Sequence, residues 1–361
     1  MKGLSDQRRL YALSAVLLAL TVAVCCVWGL WGKGNGDGAE ALPTPGAVET
    51  PVPWTAEGER PVSEKLVSTV VYFQDNYGYL VPVMKTIASQ PGVAKATLEM
   101  MVDSPANDME AARLGLRPVI PENTKLDLDI SGGTATLDMS READSFTDAA
   151  AERNMVEAIV QTLTEFPTVD QVKIRVAGRE KDSLQCGTAI GGALKRDSIN
   201  LEGRDDGLLP SQADVVTLYF AGETGSVIVP VSRMVYGKGD VETAVVELIK
   251  GPSAMSPLEN PLPSGCGLIG VKQENGHVVV NFTREFLALF ENEDGGRQAL
   301  RALALTCAQF DGVQSVEIQV EGVTYDVGGE ALALPTFVNV ESVLAEEAIL
   351  AQARALVDGD E

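Results

Sequence analysis

Histidine is nearly absent from the chain: one residue, His277, stands in 361 positions. That scarcity excludes the HExxH zinc motif, which needs two, and leaves any serine or cysteine nucleophile to share a single imidazole as its base. His277 follows Asn275-Gly276 at what reads as a hairpin tip, where an exposed side chain is expected. GxSxG, the phosphate-binding P-loop and CxxC are missing as well. Positive charge is also short, since 28 Lys and Arg face 51 Asp and Glu, for a formal net charge of −23. Such a surface repels nucleic acid and anionic headgroups, so no nucleic-acid partner is expected and the acidity reads as solvation. Carboxylate pairs such as "LDLDI" and "ENEDGG" are therefore uninformative about acid-base chemistry, although the sequence leaves a glycosidase-type pair open. No catalytic, cofactor-binding or metal-binding residues are expected, and no cofactor.

What is present is a repeat. The phrase "VVYFQDNYGYLVPV" from Val70 to Val83 returns as "TLYFAGETGSVIVPV" from Thr217 to Val231, with Phe73 and Phe220 separated by 147 positions. That spacing is near the size of one domain and points to a duplicated domain. The helices agree. Val156, Ile159, Val160, Leu163 and Phe166 follow an i, i+3, i+4, i+7 stripe, and a constant offset carries them onto Leu300, Leu303, Ala304, Cys307 and Phe310. Each helix is followed by an alternating strand, "VKIRVAG" (Val172 to Gly178) and "VEIQVEG" (Val316 to Gly322).

The N-terminus has Lys2, Arg8 and Arg9 ahead of an uncharged run from Leu10 to Trp31. At about 1.5 Å per residue this run crosses a hydrocarbon core of about 30 Å. Tyr11 stands at one end and Trp28 with Trp31 at the other, so an anchor with the body outside the cytoplasm is expected. A cleaved signal peptide and a lipid anchor at Cys25 or Cys26 are the alternatives, the second against the grain because Val24 rather than a small residue precedes Cys25. The division read from the sequence is a cytoplasmic basic segment (1–9), a transmembrane or signal-anchor helix (10–31), a Pro/Gly/acid-rich linker (32–66), domain 1 (67–178), an inter-domain connection (179–213), domain 2 (214–329) and a tail (330–361). The "GKGNGDG" stretch lacks a flanking strand and helix and reads as a hinge, not a dinucleotide loop. In the tail, Val343, Leu350, Leu356 and Val357 fit a helix face that docks on the second repeat or binds a partner.

Each repeat reads as strand, strand, helix, strand, strand, helix, strand. The hairpins "KLDLDI"/"TATLDMS" and "GLIGVKQ"/"HVVVNFT" turn at "SGG" and "ENG". The fold class is α/β (α+β): two tandem two-layer domains, each a small mixed sheet with helices on one face and its own modest core. Gly251-Pro252 is placed to end the first helix of domain 2, and Pro230 to sit at a strand edge or bulge. Cys307 takes a buried helix position, Cys266 the start of a strand and Cys186 the connection, with a Cys266–Cys307 bridge as a lesser option.

The segments "LYFAGETGSVIVPVSR", "AVVELIKGP", "PLPSGCGL", "VVVNFTREF" and "ALTCAQFDGVQSVEIQVEG" together resemble the GerMN domain family, and the first repeat carries a weaker version. The resemblance runs from about Val67 to Gly329. Two such domains behind a membrane signal are similar to the GerM-like family of sporulation and spore germination proteins of endospore-forming bacteria. The resemblance implies a non-enzymatic, extracytoplasmic assembly protein at the septum between mother cell and forespore. Its domains would be similar to the ring-building modules of secretion-like complexes. Implied partners are other sporulation membrane-complex proteins, with self-association as an option. Domain 1 departs from the pattern, having "MVDSP" where domain 2 has "LIKGP". The reading of another class is a peptidoglycan-binding or peptidoglycan-hydrolysing protein tethered to the membrane.

Overall fold

Residue pairs with positive φ close both hairpins that the sequence marks: Gly132 (56°) with Gly133 (77°), and Asn275 (51°) with Gly276 (85°). This is the two-residue turn whose twist matches that of the flanking strands. The computed structural model describes residues 66–202, 213–223, 225, 227–291, 293–325, 332–333 and 338–340. The expected membrane run at 10–31, nearly all of the linker and the tail helix beyond 340 lie outside the described residues. Among the described residues no helix is long and apolar enough to cross a membrane.

In the first repeat, β1 (Leu66–Gln74) and β2 (Leu80–Ala88) form a hairpin, followed by α1 (Val93–Glu99) and α2 (Pro105–Ala112). A second hairpin, β3 (Leu126–Ser131) and β4 (Thr134–Met139), leads through α3 (Ala149–Thr164) to β5 (Gln171–Val176) and the short β6 (Arg179–Glu180). The second repeat has β7 (Ala213–Ala221), β8 (Ile228–Tyr236), α4 (Val241–Lys250), β9 (Leu268–Glu274), β10 (His277–Phe282), α5 (Glu293–Ala308), β11 (Ser315–Val320), β12 (Val323–Thr324) and β13 (Leu332–Ala333). The expected order therefore recurs, with short strands added after β5 and β11 and a further helix in the first repeat. In "MVDSP" the Ser104 hydroxyl accepts from Asn107 N at 3.2 Å and Pro105 takes the first helical position, so a further helix starts there. In "LIKGP" Gly251, at φ 82°, ends α4 instead.

The strands of each repeat form two ladders. The first hairpin stands alone, and the mixed sheet runs β3-β4-β5-β6 or β9-β10-β11-β12, with β4–β5 and β10–β11 parallel. The long helix connects the parallel pair and also reaches the first hairpin. Tyr72 N donates to Thr162 Oγ1 at 3.3 Å, and the Gln309 amide both accepts from Thr217 N (2.8 Å) and donates to Thr217 O (2.7 Å).

Burial follows the stripes read from the sequence. Val156, Ile159, Val160 and Leu163 are buried on α3, as are Leu303, Ala304 and Cys307 on α5, while Phe166, Leu300 and Phe310 lie half-buried at the margin. Val172, Ile174 and Val176 face the interior from β5, as do Val316, Ile318 and Val320 from β11. Two separate cores were expected, but the buried apolar side chains of both repeats form one continuous cluster. Cys266 and Cys307 are buried and free, so no bridge joins them; burial pushes their thiols up to about 11 and about 12. Cys266 does not open a strand. β9 begins at Leu268, which pairs across a register shift with Phe282, the last residue of β10.

Leu303 and Ile159 are fully buried in that shared cluster. Replacing either by alanine is expected to cost about 2–5 kcal/mol through lost burial and the cavity left behind. Because the cluster is continuous, chemical denaturation should show one cooperative transition shifted by either change, and two independent transitions would contradict it.

Candidate functional site

Prolines at Pro82 and Pro230 occupy matching places in β2 and β8, and each lacks the N–H that a further ladder on its strand would use. Pro230 sits as expected at a strand edge, the buried one that faces the first repeat. Its carbonyl accepts Asn200 Nδ2 at 2.8 Å, and the Pro82 carbonyl accepts Asn339 Nδ2 at 2.9 Å. Each asparagine also bonds both backbone groups of a residue in the repeat that it follows. Asn200 accepts from Leu80 N and donates to Leu80 O, both at 2.8 Å. Asn339 accepts from Ile228 N at 2.7 Å and donates to Ile228 O at 2.8 Å. The backbone beside each asparagine extends the pattern, with Ser232 N donating to Ile199 O at 2.9 Å and Met84 N donating to Asn339 O at 2.8 Å. The segment following the first repeat thus pairs with the second, and the segment following the second pairs with the first. Asn339 is only 4% exposed and its side-chain bonds lie away from water, whereas Asn200 and its bonds are half-buried.

Charged groups brace the seam. Arg233 donates to Glu202 at 2.8 Å, to Glu247 at 3.2 Å and to Gly251 O at 2.9 Å, with its guanidinium over the Phe220 ring at 5.7 Å. Arg196 donates to Glu165 at 2.7 Å and to the Tyr72 hydroxyl at 2.8 Å. Burial pushes the Tyr72 phenol well above its usual range despite the opposing Arg196 charge, so it stays a neutral donor, bonded to Glu165 at 2.8 Å. At the rim, Tyr77 donates to Glu223 at 2.5 Å and Tyr79 shares a 3.0 Å bond with Ser256.

Side chains with chemical potential elsewhere are engaged structurally. His277 is exposed, as expected, though it is the first residue of β10 and not a turn residue, and its Nδ1 lies 2.5 Å from Ser315 Oγ. Burial opposes the charged form of Glu152, but bonds from Cys186 N (2.7 Å) and Thr188 N (2.9 Å) outweigh it and hold the carboxyl below the usual range. That carboxylate fastens the 184–188 loop to α3. Burial and the Glu152 charge push the Cys186 thiol up, away from the reactive thiolate. Asp127 and Asp129 of "LDLDI" are exposed on the outer face of the sheet, and the side chains of Glu293 and Asp294 are outside the described residues. Among the described residues no group of three or more His, Cys, Asp and Glu could hold a metal ion.

The residues at the seam, Asn200 and Asn339, escaped the sequence reading. Each follows a β-branched residue, Ile199 and Val338, but they stand at unequal distances behind their repeats, and no periodic pattern marks them. Asn339→Ala strands several buried backbone groups and is expected to cost about 2–4 kcal/mol. Hydrogen exchange should speed up at the Ile228 and Met84 amides while the β4 and β10 amides stay protected; unchanged protection at Ile228 would refute the latch.

A family model described as sporulation and spore germination, Germane, matches residues 70–182 and 217–326. The spore germination protein GerM of Bacillus subtilis (strain 168) is 30% identical over 288 residues, covering 76% of this chain and 78% of that protein. The solved structure of the tandem GerMN domains of the sporulation protein GerM from Bacillus subtilis matches with a TM-score of 0.64 at 28% identity, over 77% of this chain and 100% of that one. The duplicated sheet and helix units and the paired arrangement of the repeats account for a match that spans both at once. The chain belongs to the Germane family of sporulation and spore germination proteins and carries two tandem GerMN domains.

Proposed function

We propose that the protein is a non-enzymatic scaffold in sporulation and germination, held outside the cytoplasm by its N-terminal run. In this reading it supports a membrane complex at the septum between mother cell and forespore. The observation that carries the proposal is the reciprocal seam. Two modules locked by buried amide bonds form one body with a fixed set of surfaces, which suits bringing partners into register. Glu152 and Cys186, two side chains able to do acid-base or nucleophilic work, are tied to structural bonds. The outward faces of the mixed sheets are polar, and the end strands β3 and β9 offer edges for contact. Tethering through residues 10–31 with the linker behind it would set these surfaces above the lipid.

Cross-linking of the full chain in sporulating cells, followed by capture, should recover membrane proteins of the septum. Recovery of wall fragments alone would favour a tethered wall-binding protein. His277→Ala should leave spore counts unchanged, because an exposed side chain contributes within about half a kcal/mol to stability. Loss of sporulation with a folded, normally located His277→Ala protein would overturn the scaffold reading and favour an enzyme.

A further inference from the structure

In the second repeat the chain covers most of the outward edge of its own parallel strand. Leu332 and Ala333 of β13 pair with Val316 and Ser315, Tyr325 N donates to Ile318 O at 2.9 Å, and β12 covers Gln319 and Val320. The first repeat leaves the matching edge open at one residue. Leu194 exchanges both backbone bonds with Val172 at 2.8 Å each, and β6 pairs with Arg175 and Val176. Ile174 lies between these partners, and the alternation of a strand turns its N–H and C=O to the same side as those of Val172. Neither group has a hydrogen-bond partner among the described residues.

The gap exists because the chain leaves the hairpin early. Lys181, at the place that Tyr325 holds in the second repeat, bonds to Asp144. The Asp144 carboxylate also accepts from Gln185 N at 2.7 Å, and Asp182 O accepts from Ile190 N (2.9 Å) and Gly191 N (3.0 Å). A cleft of about 510 Å³ results, walled by the β5 edge, by residues 180–183 and by Ile190 to Gly192. Lys173 and Arg175 flank it. Arg175 is paired with Glu180 at 3.1 Å, whereas Lys173 is exposed and has no ion-pair partner among the described residues. The corresponding positions in the second repeat are Glu317 and Gln319, and Tyr325 N covers the Ile318 carbonyl there, so the uncovered carbonyl and the cation belong to the first repeat alone.

We propose that this cleft docks an extended, acidic peptide segment of a partner protein, its main chain pairing with Ile174 and a carboxylate meeting Lys173. The second repeat shows what complements this edge: a polypeptide backbone. A peptide offers both an acceptor for the Ile174 N–H and a donor for its C=O, whereas a phosphate polymer has only acceptors. The net charge of −23 repels an acidic ligand at long range. Salt screens that repulsion over about 8 Å at physiological strength, so the adjacent cation decides where the ligand settles. The inference adds a partner chemistry to the scaffold reading, and because its test uses purified protein it can fail without deciding that reading.

The test is an NMR titration of the full chain, labelled with 15N, using a blocked hexapeptide of alternating valine and glutamate. The Ile174 and Gly192 amides should shift on saturation. Lys173→Glu and the milder Lys173→Gln should weaken binding, by about ten-fold for the reversal, since an exposed charge pair contributes up to about 1 kcal/mol and reversal adds repulsion. Glu317→Lys should leave binding unchanged, because a cation there has no uncovered carbonyl beside it. A valine-lysine peptide that binds equally well, an unperturbed Ile174 amide, or inorganic polyphosphate competing for the cleft would each overturn the proposal. Both Lys173 variants keep a solvent-exposed position, and an unshifted thermal transition would exclude unfolding as the cause of lost binding.

Discussion

The missing N–H of a proline is the constraint around which the two repeats are arranged. A strand edge with its donors intact invites a continuous ladder, and a ladder between β2 and β8 would join the repeats as one sheet. Pro82 and Pro230 prevent this and leave their carbonyls in a buried place where an unpaired acceptor costs about 1–3 kcal/mol. Asparagine meets that demand because its amide has both a donor pair and an acceptor on a short stem. Asn200 and Asn339 each use the acceptor on one backbone N–H and the donors on two carbonyls, reaching both repeats at once. An aspartate there would be isosteric but could donate to neither carbonyl.

Equivalent positions in the repeats have kept their task while changing their chemistry. Lys85 pairs with Glu110 at 3.3 Å on the first repeat's second strand, and at the matching place Arg233 binds Glu202 and Glu247. Asn154 donates to Gly78 O at 2.8 Å to hold one hairpin turn, as Gln298 donates to Gly225 O at 3.0 Å to hold the other. Thr162 and Thr306 have diverged further. Thr162 bonds Tyr72 N, whereas the buried Thr306 hydroxyl has no partner among the described residues and Gln309 holds the strand two positions earlier, at Thr217.

Divergence of this kind separates what must be shared from what can specialise. The interior has to fill one continuous cluster, so helix stripes and sheet interiors stay apolar in both copies. The rim has no such obligation. There the first repeat opens a second helix at Ser104 and leaves an edge uncovered at Ile174, while the second repeat covers most of that edge with Tyr325 and β13. Two modules of one fold thereby present unlike surfaces, held at a fixed orientation by the seam.

Most of the elements were legible in the sequence because their causes are local, α2 and the start of β9 being the exceptions. A 3.6-residue stripe places Ile159, Leu163, Leu303 and Cys307 in the interior, period-two alternation does the same for Val172 and Val316, and Asn275-Gly276 sets a turn by its own φ preference. The absence of a second imidazole likewise limits the chemistry by composition alone. The seam was not legible. Its bonds join residues 120 positions apart at Asn200 and Leu80 and 257 apart at Asn339 and Pro82, and a side chain that serves a distant backbone leaves no period in its own neighbourhood. The open edge at Ile174 was hidden for a related reason, since its sequence alternates as β11 does and only the path of the chain after Glu180 leaves it uncovered. Sequence by itself determined which residues are strand, helix and interior, because those choices follow from spacing along one segment. The tertiary structure alone decided which edges meet, which stay open and how the repeats face each other, because those depend on backbone groups that every residue carries alike.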